Sequence, residues 1–229
     1  LLSGELIVNE LSAAEIIVVR KPRADETALP SPEASGFSLP ELPVSIAIDR
    51  IAADRIELGP EVLGQAVTGT LEAALTLADG AGTASLDLLR TGDGPKGQIT
   101  LEASYSNTTR DLGLEFTATE DAGGIVVGLL NVPGAPSAAF KVAGQGTIDE
   151  FTADIKLATD SEDRLAGTVQ LTNDLVTGYR LRSNLAGNLA PIVAPDFVDF
   201  FGTEVALTLD GYRSDAGRIT VDQFDVTAR

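Results

Sequence analysis

The segment from Gly92 to Gly97, GDGPKG, is the stretch of this sequence closest in composition to a phosphate-binding loop. It lacks the Gly-x-x-x-x-Gly-Lys-Ser/Thr spacing of that motif, and the residues after it do not predict a helix. We therefore interpret it as a hairpin turn.

Other polar clusters are equally compatible with ordinary turns. Asn107-Thr108-Thr109 fits a glycosylation acceptor triplet, and Asp160 to Asp163 (DSED) offers oxygen ligands for calcium without the spacing of an EF-hand loop. Two of the many carboxylates could form a glycosidase pair, but no spacing selects one. We interpret both clusters as solvated turns.

The composition argues against most catalytic chemistry. The 229 residues include no cysteine and no histidine, which excludes disulfides, thiolate nucleophiles and the commonest general base and metal ligand. We therefore expect no enzyme activity, no metal and no cofactor.

The charge argues against nucleic acid and anionic membrane surfaces as partners. With 34 acidic and 16 basic side chains, the formal charge of −18 repels nucleic acid and anionic membrane surfaces. No apolar run reaches the roughly 20 residues that span a bilayer. We expect this to be an internal piece of a longer protein, with any membrane anchor outside these residues.

The strongest signal is period-two alternation, which places every second side chain on one face of a strand. It predicts strands near 67–77, 99–105, 112–118, 151–157, 165–171, 179–189 and 205–209. The residues predicted to line the apolar face are Val67, Leu71, Leu75, Ile99, Leu101, Tyr105, Leu112, Leu114, Phe116, Phe151, Ile155, Leu165, Val169, Leu171, Leu181, Leu185, Val205 and Leu207.

Gly, Asp and Pro clusters at 79–82, 92–95, 160–163 and 210–212 predict the turns between these strands. The fold class is therefore all-β: one elongated, curled antiparallel sheet with an apolar groove, running through residues 1–229 as a single domain. Two segments depart from the pattern. Residues 20–43 predict a Pro-rich irregular loop, and Pro191 to Gly202 predicts a short amphipathic helix near 192–201 that plugs one end of the sheet or contacts a membrane or partner.

An apolar sheet face needs cover from a second sheet, from closure into a barrel, or from a guest molecule. Small residues on the face, such as Gly69, Ala103 and Gly167, either leave room for a guest or permit close packing. If the face forms a trough, an acyl chain is the natural guest, since each CH₂ removed from water contributes about 0.8 kcal/mol. The alternatives are a structural β-solenoid or adhesin with a solid core, and a carbohydrate-active β-protein.

Three passages resemble a known family: Leu42 to Gly59 (LPVSIAIDRIAADRIELG), Gly187 to Gly211 and Ala216 to Ala228. The first is similar to the recurrent unit of the TamB family, in the AsmA-like, bridge-like group of bacterial envelope proteins, and the other two are similar to other passages of that family. This resemblance implies a periplasmic rod anchored in the inner membrane, whose curled sheet carries phospholipid acyl chains between the inner and outer membranes. It also implies work with TamA, an outer-membrane barrel, in outer-membrane protein assembly, through regions that this chain lacks.

A phrase shared by the two ends of the chain fits such a repeat. GELIVNEL begins at Gly4 and GRITVDQF begins at Gly217, with Gly, aliphatic, Val, Asn or Asp, and Leu or Phe in the same places. Within the resemblance, the phrase would mark the recurring edge of one strand unit stacked along a rod.

Overall fold

The computed structural model describes residues 4–20, 38–174, 178–214 and 217–229. They form one open sheet of 14 strands, largely antiparallel, so the predicted all-β class is confirmed. The strands are β1 Gly4–Val8, β2 Leu11–Ala13, β3 Ile16–Val18, β4 Val44–Leu58, β5 Val67–Ala78, β6 Ala81–Arg90, β7 Gly97–Ser106, β8 Asp111–Glu120, β9 Ala138–Thr147, β10 Glu150–Thr159, β11 Glu162–Asp174, β12 Gly178–Gly187, β13 Val205–Ser214 and β14 Ile219–Ala228.

From β4 onwards the sheet is a meander in which each strand pairs antiparallel with the next. The first three strands are different, because they lie end to end and pair parallel with β4, from Gly4 opposite Val44 to Val18 opposite Leu58. A parallel pair needs a long crossover connection, and the predicted Pro-rich segment 20–43 is that connection. Its residues 21–37 lie outside the described part, and 38–43 form no strand.

Strand β4 carries two irregularities that its parallel partners share. Its register against β5 shifts between Ile48 and Ile51 and again between Ala53 and Ile56. The breaks between β1 and β2 and between β2 and β3 fall at the same levels. Bulges of this kind add one residue and increase the local twist. They therefore continue across adjacent strands as a shared deformation.

Successive connections in a meander alternate between the two ends of the strands, so the sheet has two rims. One rim carries short turns, such as Asp79-Gly80 between β5 and β6. The other, which we call the helix rim, carries all the helices of the described residues. These are α1 Pro60–Leu63, α2 Ile125–Leu129 and α3 Val198–Phe201, the last preceded by a 3-10 turn at Pro195–Phe197.

The predicted helix near 192–201 is therefore present but begins only at Pro195. Gly202 ends it with a φ of 60°, and its backbone N–H donates to the Val198 carbonyl. Helices α1 and α2 were not predicted. Each has five residues or fewer, which is too short for a helical period to show in the sequence.

The prediction of a turn at Asp210 to Tyr212 is wrong. These residues lie inside β13, where the register against β14 shifts between Asp210 and Gly211. Gly and Asp are common both at turns and at β-bulges, so composition alone does not separate the two. Strand β12 also ends at Gly187, two residues before the predicted Leu189.

The interior of this fold is thin. Among the described residues no large side chain is fully buried, and the buried apolar residues are Ala52, Ala53, Tyr105, Val127, Phe151, Ala153 and Val205. The strand contacts run between neighbours in the ladder, from β4 with β5 to β13 with β14. The apolar side chains therefore gather on one face of a single sheet.

Candidate functional site

The strand register defines which side chains share a face. Residues directly opposite each other in an antiparallel ladder project to the same side. One such row runs across the whole meander: Leu75, Ala84, Ala103, Leu114, Gly144, Ala153, Val169, Ser183, Leu209 and Phe224. We call the side that contains this row the apolar face.

All of the predicted lining residues fall on the apolar face. On β5 they are Val67, Leu71 and Leu75, and the same register reaches Leu207 on β13. The other face carries the alternate residues, which are mostly Thr, Ser, Glu, Asp, Gln, Lys and Arg. The structure therefore brings these residues into one continuous surface, although their role in binding lipid stays a prediction.

Several strands of this surface were missed in the sequence. They contribute Ile46, Ile48, Ile51, Ile56 and Leu58 from β4, Leu86 and Leu88 from β6, and Phe140 and Val142 from β9. In β6 the signal was present, because leucines alternate with Ser85 and Asp87. In β9 it was weak, because Gly144 and Gly146 occupy the remaining apolar-face positions.

The apolar face stays partly in contact with solvent. Leu75 and Leu181 are each 38% exposed and Phe140 is 36% exposed, whereas Tyr105 and Phe151 are buried. Most of the other predicted lining side chains are half-buried. Contiguous exposed apolar surface of this kind commonly marks a binding site for a lipid or protein.

Aromatic rings occupy the middle of the face. Phe116 on β8 and Phe140 on β9 meet edge to face with 6.2 Å between ring centroids. Phe151 lies over Gly144, where an added Cβ would be 2.5 Å from its Cζ. The rings therefore fill the space above the smallest residues at this point.

Two glycines of the apolar face do not open space for a guest. An added Cβ at Gly167 would lie 2.0 Å from the Asn184 carbonyl oxygen, and one at Gly187 would lie 2.0 Å from the Arg164 carbonyl oxygen. Both glycines therefore permit close approach of neighbouring backbones. At these positions the close-packing interpretation is the correct one.

The polar face is organised by ion pairs across strands. At the first bulge of β4, the Arg50 guanidinium contacts Glu10 at 2.5 Å and Glu72 at 2.8 Å. Near the other end of the sheet, Arg180 contacts Asp210 at 2.6 Å and Asp222 at 2.9 Å. The Arg180 pairs link three adjacent strands, and the Arg50 pairs link β4 and β5 to the break between β1 and β2. Both sets lie at or beside register shifts.

The strongest charge pair lies at the short-turn rim. Arg110 donates from Nε and Nη2 to the carboxylate of Asp149, which also accepts from Asn173 Nδ2 at 2.8 Å. The hydrogen bonds from Arg110 lower the pKa of Asp149, and those from Arg180 lower the pKa of Asp210. A glycosidase acid requires the opposite shift, so neither carboxyl suits that role.

Depressions on the polar face are shallow. One of about 570 Å³ is lined by residues that include Glu102, Glu115 and Asp154. Within the described ranges, no group of three or more acidic, Cys or His residues could hold a metal ion. The amide of Asn107, part of the acceptor-like triplet, exchanges two 2.8 Å hydrogen bonds with the Leu39 backbone.

The helices of the described residues are all short, and none is long and apolar enough to cross a membrane. The candidate site is the apolar face itself. Comparison of the chain with protein-family models, with curated proteins and with solved structures finds no match.

Proposed function

We propose that the apolar face binds the acyl chains of phospholipids, and that the chain is a segment of a non-enzymatic lipid conduit. One observation carries this proposal. The apolar face continues without interruption from β1 to β14, and no second layer of the described residues covers it. Covering a face of this composition lowers the free energy, because apolar surface is removed from water. A hydrocarbon chain can provide this cover without having a specific shape.

The dimensions suit a conduit. With strands about 4.8 Å apart, the path from β1 to β14 extends roughly 50 Å. Each CH₂ held against the face instead of water contributes about 0.8 kcal/mol, so an acyl chain could move along the face at low cost from one strand to the next. The charged polar face keeps the outside of the sheet in water.

The resemblance to the TamB family extends the proposal. On that basis the conduit lies in the periplasm, is anchored in the inner membrane outside this segment, and acts with the outer-membrane barrel TamA in outer-membrane assembly. The shared phrase supports a repeat: Asn9 follows β1 at a break in pairing, and Asp222 occupies the corresponding position at the register shift of β14. The two copies thus match in sequence and in the place of their irregularity.

The test compares charges placed on the two faces of the full chain. The first variant carries Leu101→Asp, Leu114→Asp and Val169→Asp on the apolar face. The matched control carries Thr100→Asp, Thr117→Asp and Thr168→Asp on the polar face of the same strands. Lipid that copurifies is measured by mass spectrometry, saturable binding of a pyrene-labelled fatty acid by fluorescence, and folding by circular dichroism.

We expect the apolar-face variant to lose lipid and dye while remaining folded, and the control to keep both. In a structural protein with a solid core, buried aspartates would unfold the chain, since an unpaired buried charge is costly. Wild-type protein without lipid and without a saturable dye site would also contradict the proposal. Either result would favour the solenoid or adhesin alternative.

A further inference from the structure

Arg90 is an unusual residue on the apolar face. It is the last residue of β6 and lies opposite Gly69 of β5. The next pair on the same face of these two strands is Leu71 and Leu88. Its Nε and Nη1 atoms are buried and have no hydrogen-bond partner in the part of the chain that the structure describes. A buried guanidinium without a partner is destabilising, so this position calls for an anion.

Arg90 lies beside a glycine and under a loop. On β5 the residue opposite it is Gly69, where an added Cβ would be 2.6 Å from the Leu89 carbonyl oxygen, so the two backbones approach closely. Above it lies the β6–β7 loop, the GDGPKG segment of the sequence. An added Cβ at Gly94 in this loop would be 3.4 Å from Arg90 Nη2.

The loop is held in place from both sides. The Thr91 and Gly92 backbone N–H groups donate to the Thr68 carbonyl at 2.9 and 3.3 Å. On the other side, Asp121 N–H donates to the Lys96 carbonyl at 2.9 Å. These bonds fix the loop beside Arg90 on the helix rim.

A second arginine at the same rim shows how this fold satisfies a buried guanidinium. Arg164 donates from Nε to Thr159 Oγ1 at 2.6 Å, and its Nη1 contacts Glu162 at 2.9 Å. The rim carboxylate of Glu120, two strands from Arg90, accepts instead from the backbone N–H groups of Ile125 and Val126 at the start of α2. Arg164 therefore has partners from the chain, whereas Arg90 has none among the described residues.

We propose that the Arg90 guanidinium, which has no partner among the described residues, binds a phosphate group at this end of β6. A guanidinium is planar, always charged and rich in N–H donors, which suits phosphate oxygens. The phosphate could be free or could belong to a phospholipid headgroup, with its acyl chains lying on Leu71 and Leu88. The second form rests on the proposed function, since it requires the apolar face to bind lipid.

The experiment uses the full chain with ¹⁵N-labelled arginine. The Nε–H resonance of Arg90 is assigned by its absence from the Arg90→Gln variant. Inorganic phosphate, dihexanoylphosphatidylglycerol and dihexanoylglycerol are then titrated separately. The matched control is Arg213→Gln, which removes the same charge from the same face at the opposite rim, where the arginine is exposed.

We expect one or both phosphate-containing probes to shift the Arg90 resonance in the wild-type chain. Arg90→Gln should weaken their binding about tenfold or more, the effect of losing one charge-assisted pair, and Arg213→Gln should not. If inorganic phosphate binds as tightly as dihexanoylphosphatidylglycerol, the site binds the free anion. A response confined to the phospholipid identifies a headgroup site.

Two results would overturn the proposal. One is a wild-type Arg90 resonance that moves with neither phosphate-containing probe, a result that does not depend on any variant folding. The other is Arg90→Gln protein that is folded and binds both probes as tightly as wild type. If dihexanoylglycerol binds and Arg90→Gln leaves the affinity for every probe unchanged, the result supports acyl binding and contradicts the phosphate site. If inorganic phosphate binds at Arg90 and neither lipid binds, the result supports the phosphate site and contradicts the proposed lipid conduit.

Discussion

The central strands and the edge strands of this sheet are built on the same alternation but bury their side chains very differently. Tyr105 on β7 and Phe151 on β10 are 6% and 9% exposed, whereas Leu6 on β1 and Phe224 on β14 are 51% and 61% exposed. All four lie on the apolar face. The difference arises because a central strand has neighbours on both sides, while β1 and β14 have one partner each among the described strands.

The comparison teaches that burial here comes from lateral neighbours in one sheet. In a sandwich, a second layer covers edge and centre alike and supplies most of the buried area. Among the described residues the apolar face is covered only by side chains of neighbouring strands in the same sheet, and this cover decreases towards the edges. Stability should therefore be concentrated in the middle of the meander, and the four predictions below test that gradient.

The largest expected effect is at Phe151. Replacing this buried ring by alanine should lower the free energy of unfolding by about 3 kcal/mol, because its contacts are lost and a cavity remains over Gly144. Phe224→Ala at the edge should change it by no more than about 0.5 kcal/mol. Urea unfolding followed by circular dichroism measures both, and equal losses would contradict the gradient.

The second prediction compares glycines on the same face. Gly144→Ala should destabilise the fold by about 1–3 kcal/mol, since its Cβ would meet the Phe151 ring at 2.5 Å and the Thr152 carbonyl oxygen at 2.8 Å. At Gly211, next to the edge strand, the nearest atom is the Thr220 carbonyl oxygen at 3.5 Å, an ordinary contact. Gly211→Ala should therefore be neutral or slightly stabilising in the same unfolding assay.

The third prediction concerns pH. The pKa of Asp149 is lowered below its ordinary value of 3.8 by Arg110, so the pair stabilises the fold above about pH 4 and this contribution is lost as the pH falls through the lowered pKa. Asp149→Asn should be less stable than wild type at pH 6, and the difference should shrink below pH 4. Urea midpoints at pH 6, 4 and 3 measure it.

A matched control for that pair lies on the edge strand. Asp225 is exposed on β14 and accepts one hydrogen bond, from Gln223 Nε2 at 2.5 Å. Asp225→Asn should leave the midpoints unchanged at each pH. A difference between wild type and Asp149→Asn that stays constant down to pH 3 would show that the charge of Asp149 is not what stabilises the turn rim.

The smallest effect on stability, and the most specific to the edge, is expected at Thr220. Open strand edges pair with other chains, and a lysine there opposes such pairing. Thr220→Lys on β14 should reduce concentration-dependent self-association, measured by light scattering, with a change in stability within about 0.5 kcal/mol. Thr100→Lys on β7, a strand paired on both sides, should leave self-association as in wild type.

Sequence patterns predicted the repeated core of the fold. The alternation through β5, β7, β8 and β10 to β13 is visible without any tertiary information, because each strand needs only the next turn to reverse it. The same reasoning failed at Asp210 and Gly211, where a bulge uses the residues that elsewhere form a turn. It also missed β9, where the reason for Gly144 appears only in the folded chain: the Phe151 ring lies over it.

The candidate site divides in the same way. The predicted lining residues share one face because a period of two fixes the side on which each side chain projects, and this follows from local backbone geometry. The isolation of Arg90 could not be seen in the sequence. It depends on the glycine opposite Arg90 on β5 and on a loop fixed by bonds to Thr68 and Asp121, which are distant along the chain.

By itself, the sequence determined that this protein is a two-faced ribbon of strands, since alternation is a local property of the chain. Only the tertiary structure decided that β1 to β3 pair parallel with β4, that their breaks align with its bulges, and that no second layer of the described residues covers the apolar face. These features depend on which strands meet and in what register. Register is set by contacts between residues far apart in sequence, and no single stretch of the chain encodes it.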